Sequence, residues 1–153
     1  MTTLAEAQDW LRERLDEGAA CPCCTQLAKV YRRKINAVSA RALIALYRLG
    51  PGFHHMPTIA RTHLTDVAHQ GGYLTLSQHW RLIEEELELR DDGGRAGWWR
   101  ITDLGARFTL NQIRLPKYAR IYDGRCLGLI GEPQGIRDAL GTKFDYRNLM
   151  DGT

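Results

Sequence analysis

The stretch LSQHWRLIEEELELRDDGGRAGWWRITDLGARF, residues 76–108, decides how the chain reads. Leu76, Trp80, Ile83 and Leu87 fall at i, i+4, i+7 and i+11, one apolar stripe of a helix predicted over Tyr73–Leu89. Thr75 with Gln78 has capping-box spacing at its start. Ser77, Gln78, Arg81 and Glu85 lie on the opposite face. Asp91-Asp92-Gly93-Gly94 is a hairpin-turn signal between two short strand candidates, Glu88–Arg90 and Trp98–Ile101. Thr102 can cap a following helix that runs to about Gln112, with Leu104 and Phe108 available for burial. Gly105 weakens that helix slightly.

Working outward, Gln26–Leu49 is a long periodic segment stopped by Gly50-Pro51-Gly52. A break at Asn36–Ser39 divides it into a basic part, KVYRRK, and an apolar part, ARALIALYRL. Pro57–His63 reads as a short helix with proline near its first position. Upstream, Leu4, Ala7, Leu11 and Leu15 give an amphipathic acidic helix with Thr3 and Glu6 in capping-box spacing. Downstream of Pro116, Asp123-Gly124 between two apolar runs predicts a second hairpin over Tyr118–Ile130, then a short helix over Pro133–Leu140.

The expected organisation is an N-terminal helix with a CPCC segment (1–24), a central domain (25–115) and a C-terminal hairpin and helix extension (116–153). The expected class is mainly α with small β-hairpins, an α+β arrangement. The order of elements over 26–112, with the wing-like hairpin entering Ile101-Thr102-Asp103-Leu104-Gly105, resembles the winged helix-turn-helix family of bacterial regulators. That resemblance implies a DNA-binding fold with its recognition helix near Thr75. Cys21-Pro22-Cys23-Cys24, Tyr31-Arg32-Arg33-Lys34, Gly94–Arg100 and Tyr122-Asp123-Gly124-Arg125 make the whole chain similar to uncharacterised small proteins of actinobacterial phages and prophages. That second resemblance implies a phage or prophage setting and no particular activity.

Charge patterning carries the functional expectation. The chain of 153 residues has a formal net charge of only +3. By segment it is strongly divided. Residues 25–65 hold seven basic residues and no acidic one, whereas residues 66–94 hold two basic and seven acidic. Residues 95–153 hold ten basic and six acidic, and residues 1–24 two basic and five acidic. Acid-free basic blocks suit phosphate contact. Lys29, Arg32 and Arg33, with Lys34, are the candidates for non-specific backbone contact. In the winged-helix reading, Thr75, Ser77, Gln78 and Arg81 reach base edges, because glutamine can bond adenine and arginine guanine at two points. Arg95 at the wing tip and Arg100 on its strand complete the set. Glu84-Glu85-Glu86 oppose deep insertion, since carboxylates would meet phosphates.

Cys21 and Cys24 have metal-ligand spacing, and Cys126 is a third thiol, so these three are the metal candidates with zinc the ion. Reduced structural cysteines are the competing reading. No Gly-rich phosphate loop, GxSxG or HExxH motif occurs, so enzymatic activity is not expected. No run approaches the roughly 18 apolar residues of a membrane span, and the first ten residues lack a signal-peptide pattern, which points to the cytoplasm (of the bacterial host, for a phage protein). The leading expectation is therefore a regulator that binds double-stranded DNA, as a homodimer where the operator is two-fold. The alternatives are a module that binds a host or phage protein, and a zinc-stabilised adaptor.

Overall fold

Residues 3–87 and 97–152 are described by the computed structural model. In chain order the elements are α1 (Leu4–Arg12), β1 (Ala19–Ala20), β2 (Leu27–Ala28), β3 (Tyr31–Lys34), α2 (Ala37–Leu49), β4 (His54–His55), α3 (Met56–His63) and α4 (Gly71–Leu74). A 3-10 turn (Leu76–Trp80) follows, then β5 (Ile83–Glu85), β6 (Trp98–Ile101), α5 (Asp103–Thr109), β7 (Leu115–Tyr122), β8 (Arg125–Gln134), α6 (Ile136–Leu140) and α7 (Tyr146–Asp151). The chain folds as two units. The first contains residues 1–34 and 118–130, the second residues 35–117 and 131–153.

In the first unit, Thr3 caps α1 by accepting the Glu6 N–H at 3.2 Å, as the capping spacing predicts. The chain then forms a hairpin of two-residue strands, β1–β2, around the cysteines. β3 pairs antiparallel with β7, and β7 with β8, in the order β3-β7-β8. Asp123 and Gly124 make the β7–β8 turn with φ of 50° and 74°. Both values lie in the left-handed region that a two-residue hairpin turn requires and that Asp-Gly tolerates. The N–H of Val30 bonds the Leu15 carbonyl at 2.7 Å and fixes the approach to β3.

The second unit is built around α2. Ser39, Ala40, Ala42, Leu43, Ile44 and Leu46 are buried on it, and α3, α4, α5, α6 and α7 all pack against it. Asn36 caps α2 by accepting the Ser39 N–H at 3.0 Å, so the break at Asn36–Ser39 is a helix start. A three-stranded antiparallel sheet in the order β4-β6-β5 lies in the same unit. Thr102 caps α5 by accepting the Gly105 N–H at 3.0 Å and donates its own hydroxyl to the Arg81 carbonyl at 2.7 Å. Gly105 is there for space: a Cβ on it would overlap the Leu82 carbonyl oxygen. Only glycine lets α5 approach that backbone so closely.

The expected mainly α winged helix-turn-helix is corrected by these elements. Among the described residues, eight strands in three antiparallel sheets stand beside seven α-helices, and the class is mixed α+β. Two sequence readings fail for identifiable reasons. The helix expected over Tyr73–Leu89 is a single turn, α4, and a 3-10 turn that stops at Trp80. Arg81 then takes a left-handed backbone, φ 61°, and Ile83–Glu85 pair with Ile101–Trp99. Its apolar positions fit a helix, but the ladder with β6 decides, and Ile83 is buried as the first residue of a strand. Of the segment KVYRRK, expected as helix, Tyr31–Lys34 run as β3 because β7 pairs with them. The turn Asp91–Gly94 and the strand candidate Glu88–Arg90 lie outside the described residues.

Candidate nucleic-acid interface

β3 lies at the edge of its sheet, and all four of its residues, Tyr31, Arg32, Arg33 and Lys34, are exposed. Side chains alternate along a strand, so Tyr31 and Arg33 share one face and Arg32 and Lys34 the other. On the first face Lys29 joins them. The Lys29 Nζ lies 5.7 Å, and the Arg33 Cζ 5.8 Å, from the centre of the Tyr31 ring. Two cations therefore flank one half-exposed aromatic ring, each attracted by its negative face. The three side chains line a cleft of ≈ 510 Å³ with Gln26, Leu27, Ile121 and the Tyr122-Asp123-Gly124 turn.

On the second face Arg32 stands directly opposite Arg120 of β7. Like charges directly opposite in a ladder destabilise it. Asp16 offsets one of the two: its Oδ1 accepts from Arg120 Nη2 at 2.8 Å and from Nε at 3.2 Å. Among the described residues no carboxylate pairs with Arg32, Arg33 or Lys34. Arg120 belongs to the second basic block of the sequence and Arg32 to the first, so the fold brings parts of both blocks to one small sheet.

The other candidates fare differently. Ser77 is 1% exposed, which removes it from any surface contact, and its hydroxyl has no hydrogen-bond partner. Gln78 and Arg81 are exposed, but on a 3-10 turn and its left-handed cap instead of one helix face. Thr75 is half-buried and donates to the Gly71 carbonyl at 3.4 Å. Arg100 is held by Glu84 in an ion pair and lies over the Phe53 ring at 5.0 Å. The acidic block thus neutralises a residue expected to face DNA. Arg41 is likewise engaged by Asp66 through two bonds of 2.9 Å, and that guanidinium holds the Asp66 carboxyl below its ordinary range. Arg95 lies outside the described residues.

Sequence reasoning missed Tyr31 and Arg120 as members of the surface. The alternation in Arg120-Ile121-Tyr122 beside the Asp-Gly turn is a local signal, but the pairing of that segment with a strand far back in the chain is not.

The CPCC segment forms a closed turn. The Cys21 N–H donates to the Gln26 carbonyl and the Thr25 N–H to the Cys21 carbonyl, both at 2.8 Å. Backbone N–H groups of Cys24 and then Cys23 reach the Cys21 sulfur and hold its thiol below the ordinary range. Cys126, on β8, donates its thiol to the Gly128 carbonyl at 3.6 Å. No three metal-ligating side chains gather among the described residues, so Cys126 is not brought together with Cys21 and Cys24 in one chain. No helix among them is long and apolar enough to cross a membrane.

No family model matches the chain, and neither does any curated protein or solved structure.

Proposed function

We propose that the chain binds double-stranded DNA through its phosphates, with the β3–β7 sheet as the contact surface. The carrying observation is the direct opposition of Arg32 and Arg120 on a sheet whose edge strand is wholly exposed and basic. A phosphate between two opposed guanidiniums relieves their repulsion and takes charge-assisted bonds from both. Lys34 shares the face of Arg32 and extends its positive surface, while Arg33 and Lys29 stand around the Tyr31 ring on the other face of the same edge strand. Such contacts supply affinity and little sequence discrimination.

The test is fluorescence anisotropy with a labelled random-sequence duplex. Binding at low salt that weakens steeply as salt rises supports the reading, because released counterions set the slope. No binding to the duplex at low salt overturns it.

A further inference from the structure

The face of β3 opposite Arg32 has a chemistry of its own. Tyr31 and Arg33 alternate onto it, and Lys29, just after β2, joins them. Tyr31 is 50% exposed, so a flat aromatic surface stands open to solvent. The Lys29 Nζ and the Arg33 Cζ lie 5.7 and 5.8 Å from the ring centre, close to the ~6 Å limit of a cation–π contact, so both cations border the ring rather than pack onto it. Among the described residues no carboxylate pairs with Lys29 or Arg33, although Asp123 lines the same cleft. Both charges are therefore open to an anion. The cleft of ≈ 510 Å³ falls within the range of about 300–1,000 Å³ usual for small-ligand sites. All of its lining belongs to the first unit.

A ligand that suits this cleft has a flat ring for Tyr31 and an anionic group within reach of both cations. A nucleotide has both, with its phosphate one sugar away from its base. Stacking on an aromatic side chain tolerates every base, because each has a π face. Gln26, exposed and lining the cleft, carries a donor and an acceptor for a base edge, and the Asp123 carboxylate is a further acceptor. In an intact duplex the faces of each base are covered by its neighbours in the stack and are closed to Tyr31. The cleft therefore suits an unpaired nucleotide, whereas the Arg32–Arg120 face suits duplex phosphates.

We propose that the Tyr31 cleft binds one unpaired nucleotide of a single DNA strand, with the base against the Tyr31 ring and the phosphate between Lys29 and Arg33. The edge strand then has two DNA-binding faces, one for the phosphates of a duplex and one for an unpaired base. The cleft depends on Tyr31 and its two cations and not on the duplex contact, so either face can fail alone.

The test compares two labelled strands of about eight units, an oligothymidine and its abasic counterpart, by fluorescence anisotropy at one low salt concentration. Both carry the same phosphates, so the ratio of their affinities reads the base alone. The expected preference for oligothymidine is about 5- to 150-fold, the range of one aromatic stack. Tyr31→Ala should remove the preference and Tyr31→Phe should keep it. Lys29→Ala/Arg33→Ala should weaken both strands, and Arg32→Ala should leave the ratio unchanged. Far-UV circular dichroism checks that each variant folds, and the ratio in the unaltered chain needs no variant. Equal affinity for the two strands, or a preference that survives in Tyr31→Ala, would overturn the proposal. Free thymidine monophosphate bound as tightly as the strand would overturn the assignment to a strand and give the cleft to free nucleotides. Loss of duplex binding with the ratio intact removes the duplex reading alone, and the reverse removes the cleft alone.

Discussion

Arg32 faces Arg120 directly across the β3–β7 ladder, and Asp16 reaches only Arg120, at 2.8 Å. Two cations on opposed positions with one counter-charge leave a net positive site on a sheet surface. Stability alone would favour a carboxylate or a neutral residue at position 32. In the proposed function, a DNA phosphate offsets this excess charge.

Removing Asp16 should separate stability from binding. In Asp16→Asn the pair Arg32–Arg120 loses its counter-charge. The bridge is partly exposed, so the loss of stability is about 0.5 kcal/mol. Duplex binding at low salt should tighten, because Arg120 becomes free for a phosphate. Chemical denaturation and anisotropy measure the two effects, and weaker binding by the variant would contradict the assignment.

Gly105→Ala should be costly for a steric reason alone. The added Cβ overlaps the Leu82 carbonyl oxygen and falls 2.7 Å from the Ile101 side chain, where α5 meets the β5–β6 sheet. Overpacking of this kind costs about 1–3 kcal/mol. The urea midpoint should fall, although alanine is the better helix former.

Ser77→Ala should do the reverse. The Ser77 hydroxyl is buried without a partner, and a buried unpaired polar group carries its desolvation cost into the folded state. Removing the oxygen should raise stability by about 1 kcal/mol. A fall in Tm would mean that the hydroxyl is bonded in solution.

The ion pair of Arg41 with Asp66 makes a pH prediction. The Arg41 guanidinium lowers the Asp66 pKa in the folded state, so the carboxylate form favours folding. That contribution is complete above the unfolded value of about 3.9 and is lost as pH falls through the lower folded value. Asp66→Asn removes it at every pH. The unaltered protein and the variant should therefore converge in stability below the folded pKa and differ above about pH 5, as followed by urea midpoints across that range.

What the sequence made legible is local. Thr3 and Thr102 cap helices as their spacing predicts, and the break expected at Asn36–Ser39 is where Asn36 caps α2; each cap accepts from a backbone N–H three residues on. The Asp123-Gly124 turn is equally local. The failures are non-local. Leu76–Leu87 satisfies a helical period, but Arg81 turns left-handed and β6 captures Ile83–Glu85 from further along the chain. Lys29–Lys34 has the charge of a solvated helix, but β7, far along the chain, draws it into a ladder. The candidate surface follows the same rule. Lys29, Arg32 and Arg33 are visible as charge, whereas Arg120 gains its meaning only from the register that sets it against Arg32. Ser77 and Arg100 look available on the winged-helix pattern. One is buried and the other is paired with Glu84.

If DNA is held by phosphate contacts from the β3–β7 sheet, its salt dependence must track Arg32 and Lys34, the basic residues of β3 on the Arg120 face. The most direct measurement is the slope of log binding constant against log salt for a random duplex, for the unaltered chain, Arg32→Ala and Arg32→Ala/Lys34→Ala. Each lost phosphate contact should reduce the slope by about 0.9 in magnitude, so a stepwise decrease of roughly one and then roughly two is expected. Slopes that stay equal across the three proteins, with unchanged affinity at low salt, would contradict it.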